Sequence, residues 1–232
     1  MGSQNLILYY HPLASFCHKV LLALYESETP FEGRVVDLAD EASSAEMLAF
    51  WPVGKIPVLR DERRATTVPE TSIIIEYLQT FHPGPTRLVP VEPEAALQTR
   101  LWDRFFDLYI SAPMQKIVTD RLRPEGKSDP VGVEEAFATL QRAYDLLEKH
   151  LGERGNGWAA GGSFDLADCA AALFYAGIVA PFAATHPRIA AYFERLLARP
   201  SMTRVLHEAR PYFPLFPLRD QIPRRFLGPS VP

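Results

Sequence analysis

The chain has 232 residues, 47% of them hydrophobic and 22% charged, which gives ample length to bury a core and excludes an intrinsically disordered polymer. Twenty-four basic side chains against twenty-eight acidic ones leave a net charge of −4, so the basic footprint of a nucleic-acid binder or an anionic-membrane binder is missing. Two cysteines, Cys17 and Cys169, are too few for a disulfide framework and fit a reducing cytoplasm. The start of the chain lacks the basic segment of a secretory signal. The longest apolar stretch, Cys169 to Ala184, is interrupted by Gly177 and Pro181 and falls short of the ~18 residues a membrane span needs.

In chain order, Leu6-Ile7-Leu8-Tyr9-Tyr10 reads as a buried strand stopped by Pro12. Phe16, Val20, Ala23 and Leu24 recur at helical steps and predict a helix over Ser15–Glu26 with one core face. Arg34–Leu38 reads as a second strand, and Glu46–Phe50 closes a short helical piece before Trp51-Pro52. Ile56–Leu59 and Ala65–Val68 flank a charged turn and predict a hairpin, after which Pro69 opens a helix through Ile73, Ile74, Tyr77 and Leu78. The order is β-α-β, a short helix, then β-β-α. A proline-rich stretch from His82 to Pro93 marks a linker, and no strand is expected beyond it. Leu97, Leu101, Phe105 and Leu108 predict one amphipathic helix. Val133, Phe137, Leu140, Tyr144, Leu147 and Leu151 predict a second. Residues 166–180 are apolar nearly all round and read as a central buried helix, and Ile189, Phe193 and Leu196 supply another. Six prolines in the last twenty-two residues, Pro211, Pro214, Pro217, Pro223, Pro229 and Pro232, predict an extended surface tail. The expected architecture is a small α/β domain over residues 1–82, a linker over 83–93 and an all-helical domain over 94–232.

Three short segments carry chemistry. Pro57 at a strand start cannot donate to a ladder, so it marks either an edge strand or a cis turn whose preceding backbone is free to bind a peptide. Glu70-Thr71-Ser72 opens a helix; such residues cap helices by default, and the same end can hold a ligand carboxylate on its amides and an amine on Glu70. Ser15-Phe16-Cys17 begins the first helix, where Ser15 is a natural cap, Cys17 a small buried hydrophobe, and a thiolate placed there would be stabilised by the helix dipole. Other patterns fail. Gly126-Lys127-Ser128 ends like a phosphate-binding loop, but Arg121 stands where its first glycine belongs. Gly152–Gly157 follows a helix and reads as its cap and turn. The six histidines form no i, i+4 pair and have no cysteine pair beside them, so no metal site is expected.

Taken together, these segments resemble cytosolic glutathione transferases over almost the whole chain. The resemblance rests on Tyr9–Val20, Gly54-Lys55-Ile56-Pro57-Val58-Leu59, Pro69–Ile74, and Trp158-Ala159-Ala160-Gly161 followed by Leu166-Ala167-Asp168. It implies a thioredoxin-like α/β domain followed by an all-α bundle, a cytoplasmic homodimer, and glutathione as cosubstrate without a metal. By the same resemblance, Ile56 before a cis Pro57 presents its backbone to the cysteinyl part of glutathione. Glu70 and Thr71 hold its γ-glutamyl end, and Lys55 reaches toward its glycine carboxylate. Asp165 and Asp168 match a helix-start signature whose role is folding.

The implied activity is attack of the glutathione thiolate on a small hydrophobic electrophile or a peroxide. In related classes the activating serine stands five residues before the lysine that corresponds to Lys19, which here is Ala14. Ala14 offers no donor. Ser15 and Tyr10 are therefore the catalytic candidates, Ser15 being favoured because it adds to the helix N-terminal field, with Cys17 a distant third. The electrophile is expected between the domains, against Phe106, Tyr109, Ile110, Pro113 and Met114. The alternatives are a glutathione-binding module without catalysis and a partner-docking module.

Overall fold

The structure, a computed structural model, describes residues 5–37, 40–155 and 157–228. A four-stranded sheet of order β2-β1-β3-β4 organises the first domain. β1 (Leu6–Tyr10) pairs in parallel with β2 (Glu32–Val35) and antiparallel with β3 (Val58–Asp61), and β4 (Thr66–Pro69) closes the edge beside β3. α1 (Ser15–Glu26) provides the crossover that a parallel pair requires. α2 (Glu41–Phe50) buries Met47 against the face that carries Ile7, Tyr9, Val36 and Val58, and α3 (Thr71–Phe81) packs on α1.

β2 starts and ends earlier than its apolar run suggests. Leu38, the last residue of that run, lies outside the described residues, as do Asn156 of the glycine-rich turn and Pro229 and Pro232 of the tail. Pro69 does not open α3. It ends β4 opposite Val58, an edge position where its missing N–H costs no ladder bond. α1 also departs from the one-faced helix expected, because Ser15 and every residue from Cys17 to Leu24 are buried. The sheet domain closes one side of it, and the helical domain closes the other through α7 and α10.

The helical domain begins with α4 (Pro93–Phe105), which runs through a π-helical turn (Phe106–Ser111) into α5 (Ala112–Asp120). The stripe Leu97, Leu101 and Leu108 is not its core face: all three are more than half exposed. The buried face instead carries Thr99, Trp102, Asp103 and Phe105, and its polar members are tolerated because each has a buried partner. Thr99 Oγ1 donates to Asp165 at 2.9 Å, and Asp103 meets Lys19 Nζ at 2.6 Å. α6 (Pro130–Arg154) buries Leu140, Tyr144, Leu147 and Leu151, while Phe137 is exposed.

Residues 166–180 form two helices rather than one, α7 (Leu166–Ala170) and α8 (Leu173–Val179), broken at Ala171-Ala172. α7 is held by a capping box. Asp165 accepts from Ala167 N–H, and Asp168 accepts from Asp165 N–H, Ala159 N–H and the Tyr192 hydroxyl. These two aspartates therefore serve the fold. α9 (Pro187–Leu197) and α10 (Pro200–Ala209) follow. The proline-rich end is not extended over the surface. It coils through two 3₁₀ turns (Arg210–Leu215 and Arg219–Gln221) into α11 (Arg224–Leu227), because Phe213, Phe216, Leu218 and Ile222 bury themselves in the core.

Candidate active site

The two domains enclose a cavity of about 710 Å³. Lys55, Ile56, Pro57, Glu70 and Thr71 line one wall, and His11, Leu13, Ala14, Ser15 and Phe16 line the end of it where β1 passes into α1. The Ile56–Pro57 bond is cis, and Ile56 lies outside the ladder that begins at Val58. Glu70, at the N-cap of α3, sits at φ +66°, a left-handed conformation that a non-glycine residue adopts at a cost on the order of 1–3 kcal/mol. It makes no side-chain cap bond and is exposed at the cavity wall. Such strain collects at ligand clamps. The first amides of α3 have no acceptor within the helix, which suits an anionic group placed there.

Lys19 braces this wall from behind. Its ammonium is 2% exposed and contacts Asp103 (2.6 Å), Asp107 (2.7 Å) and Ser72 Oγ (2.9 Å). Ser72 donates to Asp103 Oδ2 at 2.7 Å, and Arg104 caps the cluster by pairing with Asp103 and Asp107. Burial raises the pKa of Asp107 against the pull of Lys19 and Arg104. One buried cation thus joins α1, the start of α3, α4 and the π turn. Arg104 and Asp107 also reach the cavity. The sequence offers Lys19 as a motif landmark, but its aspartate partners lie more than eighty residues away and carry no local signal.

Ser15, the first residue of α1, is 8% exposed, and its Oγ accepts from Gln115 Nε2 at 3.3 Å. Ala14 holds the N-cap position and supplies no side-chain bond. Tyr10 is not among the described residues that line the cavity. It packs with Tyr25 and Phe31 on the α1 face of the sheet, where burial foremost, then Glu208, Tyr212 and Cys17, raises its pKa. Burial pushes the Cys17 thiol up to about 12, which removes it from thiolate chemistry at neutral pH. His11 was not singled out by sequence. Its Nδ1 accepts from Leu13 N–H at 3.1 Å and burial lowers its pKa, so the neutral ring carries its proton on Nε2.

The helical wall differs from the one expected. Met114 lines the cavity, but Phe106 and Ile110 are wholly buried in the helical core, Pro113 is buried beside them, and Tyr109 is half exposed outside the cavity. Leu108, Ala112, Gln115, Val118, Thr119 and Leu122 take their place. The expected set lies on the face of this segment that packs inward, where Phe106 and Ile110 are fully buried, and the cavity takes the neighbouring face through Leu108, Ala112 and Gln115. Tyr175 of α8 and Leu215, Phe216 and Pro217 of the C-terminal coil complete the apolar side.

Known proteins share this two-domain fold. A family model described as the glutathione S-transferase N-terminal domain matches residues 14–80, and one described as the C-terminal domain matches residues 130–195. Glutathione S-transferase GstB of Escherichia coli (strain K12) is 26% identical over 195 residues, which span 81% of this chain and 91% of that protein. Glutathione S-transferase U25 of Arabidopsis thaliana is 27% identical over 217 residues, 90% of this chain and 91% of that protein. The crystal structure of a glutathione S-transferase from Methylobacterium radiotolerans, in complex with glutathione sulfonate, superposes with a TM-score of 0.74. It is 27% identical and covers 86% of this chain and 93% of its own.

Proposed function

Since the chain belongs to the glutathione S-transferase family, we propose that it binds glutathione along the Lys55–Thr71 wall and activates the thiol for attack on a small hydrophobic electrophile or a peroxide. The observation that carries this reading is the convergence of Lys55, Ile56, Pro57, Glu70, Thr71 and Ser15 on one cavity. In it the γ-glutamyl amine meets Glu70, its carboxylate meets the start of α3, the cysteinyl backbone pairs with Ile56, and Lys55 faces the glycine carboxylate. The sulfur is then directed at the N-terminus of α1, where the helix dipole and the Ser15 hydroxyl both favour the thiolate. Residues 1–82 form the glutathione-binding unit, and 94–232 supply the electrophile's wall. The electrophile lies against Met114, Val118, Leu122 and Phe216, none of which carries a charge.

A free thiol titrates near 8.5, and bringing it to about 6.5 requires roughly 2.7 kcal/mol, within reach of one good hydrogen bond and a helix N-terminus. The chain itself forms no covalent bond; it holds and ionises a cosubstrate. We also place the protein in the cytoplasm as a homodimer. Two buried free thiols, Cys17 and Cys169, suit a reducing compartment. Ile73 and Phe81 of α3 and Leu97 and Leu101 of α4 are exposed apolar side chains that a second copy would cover. Light scattering at micromolar concentration reads the dimer directly.

Ala14 favours a second reading, a glutathione-binding module that does no chemistry. Ultraviolet difference absorbance of bound glutathione across pH separates the two, with Ser15→Ala and Tyr10→Phe alongside. A transferase gives a bound thiol that titrates near 6.5 and returns upward in Ser15→Ala. A bound thiol that titrates as it does in water leaves only the module.

A further inference from the structure

We infer that Gln115 is a positioning residue for thiol activation: its side-chain amide, donated across the domain boundary to Ser15 Oγ, leaves the Ser15 hydroxyl proton to the glutathione sulfur. The inference rests on Ser15 being the activating hydroxyl, and it explains how a serine at the first helical position can serve that role when Ala14 cannot.

A serine hydroxyl has one proton and two acceptor sites, and it turns to whichever partner is nearest. On a helix the usual partner is a carbonyl one turn back. For Ser15 that carbonyl is His11 O, which accepts from Ala14 N–H at 3.0 Å and takes no hydrogen bond from the Ser15 hydroxyl. The partner that does reach Ser15 comes from α5, one hundred residues later in the chain: Gln115 Nε2 stands 3.3 Å from Oγ. An amide N–H can only donate, so Oγ accepts from it through one lone pair and the hydroxyl proton is turned away from α5. Both side chains line the cavity, so the remaining direction for that proton is the space the sulfur is to occupy. Accepting one hydrogen bond also polarises the O–H and strengthens the bond it donates.

Gln115 is uncharged, so it directs the proton without adding a charge that would compete for glutathione's carboxylates. Its neighbours on α5, Met114 and Val118, belong to the electrophile's wall. The helix that receives the electrophile therefore also orients the hydroxyl that activates the nucleophile.

The test is the thiol titration of bound glutathione, with the pH profile of kcat/KM, for the full-length protein and for Gln115→Met, Gln115→Glu, Ser15→Ala and the Ser15→Ala/Gln115→Met double variant. Methionine keeps the length and apolar contacts of the side chain without its donor, and far-ultraviolet circular dichroism checks folding. Gln115→Met is expected to lower the ionisation constant of the bound thiol by about three- to tenfold, and to weaken glutathione binding at neutral pH by no more than that factor. Gln115→Glu, whose carboxylate claims the hydroxyl proton, is expected to match Ser15→Ala. In the double variant the Gln115 change is expected to add nothing to Ser15→Ala. A Gln115→Met thiol that titrates as in the parent, while Ser15→Ala shifts it, overturns the inference and leaves Ser15 as activator. A thiol that titrates lower in Gln115→Met means that the hydroxyl donates to Gln115, and also overturns it. A Ser15→Ala thiol that does not move overturns the role of Ser15 and the inference together.

Discussion

The sheet-domain wall of the cavity presents its ligand groups on backbone turns, at Ile56-Pro57 and at the strained Glu70 that starts α3, whereas the helical wall presents side chains from α5, α8 and the C-terminal coil. Backbone groups fixed by a sheet and a helix end suit a cosubstrate of constant structure, the role proposed for glutathione. Side chains such as Leu122 and Leu215, both about two-thirds exposed, can be exchanged without disturbing a core. One wall is specified by geometry, the other by composition. Between them runs α1, and the substitutions with the largest effects act on that seam.

Lys19→Met gives the largest loss. It removes the buried cation from between Asp103 and Asp107 behind Ser72 and leaves them the half-exposed Arg104, and is expected to cost about 3 kcal/mol, the low end for breaking a buried ion pair. Urea unfolding measures it, and a loss below 1 kcal/mol would mean the two walls are not joined there.

Next is pH. His18, buried in α1, donates Nε2–H to Pro12 O at 2.6 Å with the Tyr175 hydroxyl 3.4 Å away, and burial lowers its pKa to about 4. The folded value lies below the unfolded one of about 6.5. The contribution of His18 is thus complete above that pH and is lost as pH falls toward 4, on the order of 3 kcal/mol in total. Unfolding at pH 7.5 and pH 4.5 is expected to show a drop that His18→Gln reduces.

Glu70→Gln acts on the backbone-built wall alone, removing the charge proposed to meet the γ-glutamyl amine while keeping the side chain's size. Glutathione Kd is expected to rise about tenfold or more, as for loss of a charged hydrogen bond, with electrophile KM unchanged at saturating glutathione. Leu215→Ala is the mirror experiment on the other wall. Its side chain is 68% exposed, so stability is expected to hold, while kcat/KM for an apolar electrophile falls about fivefold through lost contact area. If both variants moved both ligands equally, the division between the walls would be wrong.

The sheet-domain wall was legible in sequence because each of its parts is local. Pro57 stands at a strand start and Glu70-Thr71 at a helix start, so the chain positions them within a few residues of where they are read. The helical wall depends on distant packing. Leu97, Leu101 and Leu108 make an apolar stripe that reads as a core face, yet the face that is buried carries Thr99 and Asp103, whose partners Asp165 and Lys19 lie far along the chain. The tail's prolines suggest extension, but Phe213, Phe216, Leu218 and Ile222 recur closely enough to anchor a coil. Ser15 was legible as a helix start; its partner Gln115 was not, since nothing near either residue points to the other.

The π turn at Phe106–Ser111 has a consequence for how the chain tolerates changes in length. Its flanks are fixed independently, α4 by packing on α7 and α5 by packing on α6. The surplus residue is therefore stored locally rather than passed on as a rotation of about 100°. Deleting one residue between Phe106 and Ser111 returns the segment to ordinary α-helical winding with Met114 and Gln115 still facing the cavity. A one-residue deletion within α5 itself has no such reservoir and turns the rest of that helix away. Insertions and deletions are thus absorbed at one point along the α4–α5 path, immediately before the helix that lines the cavity.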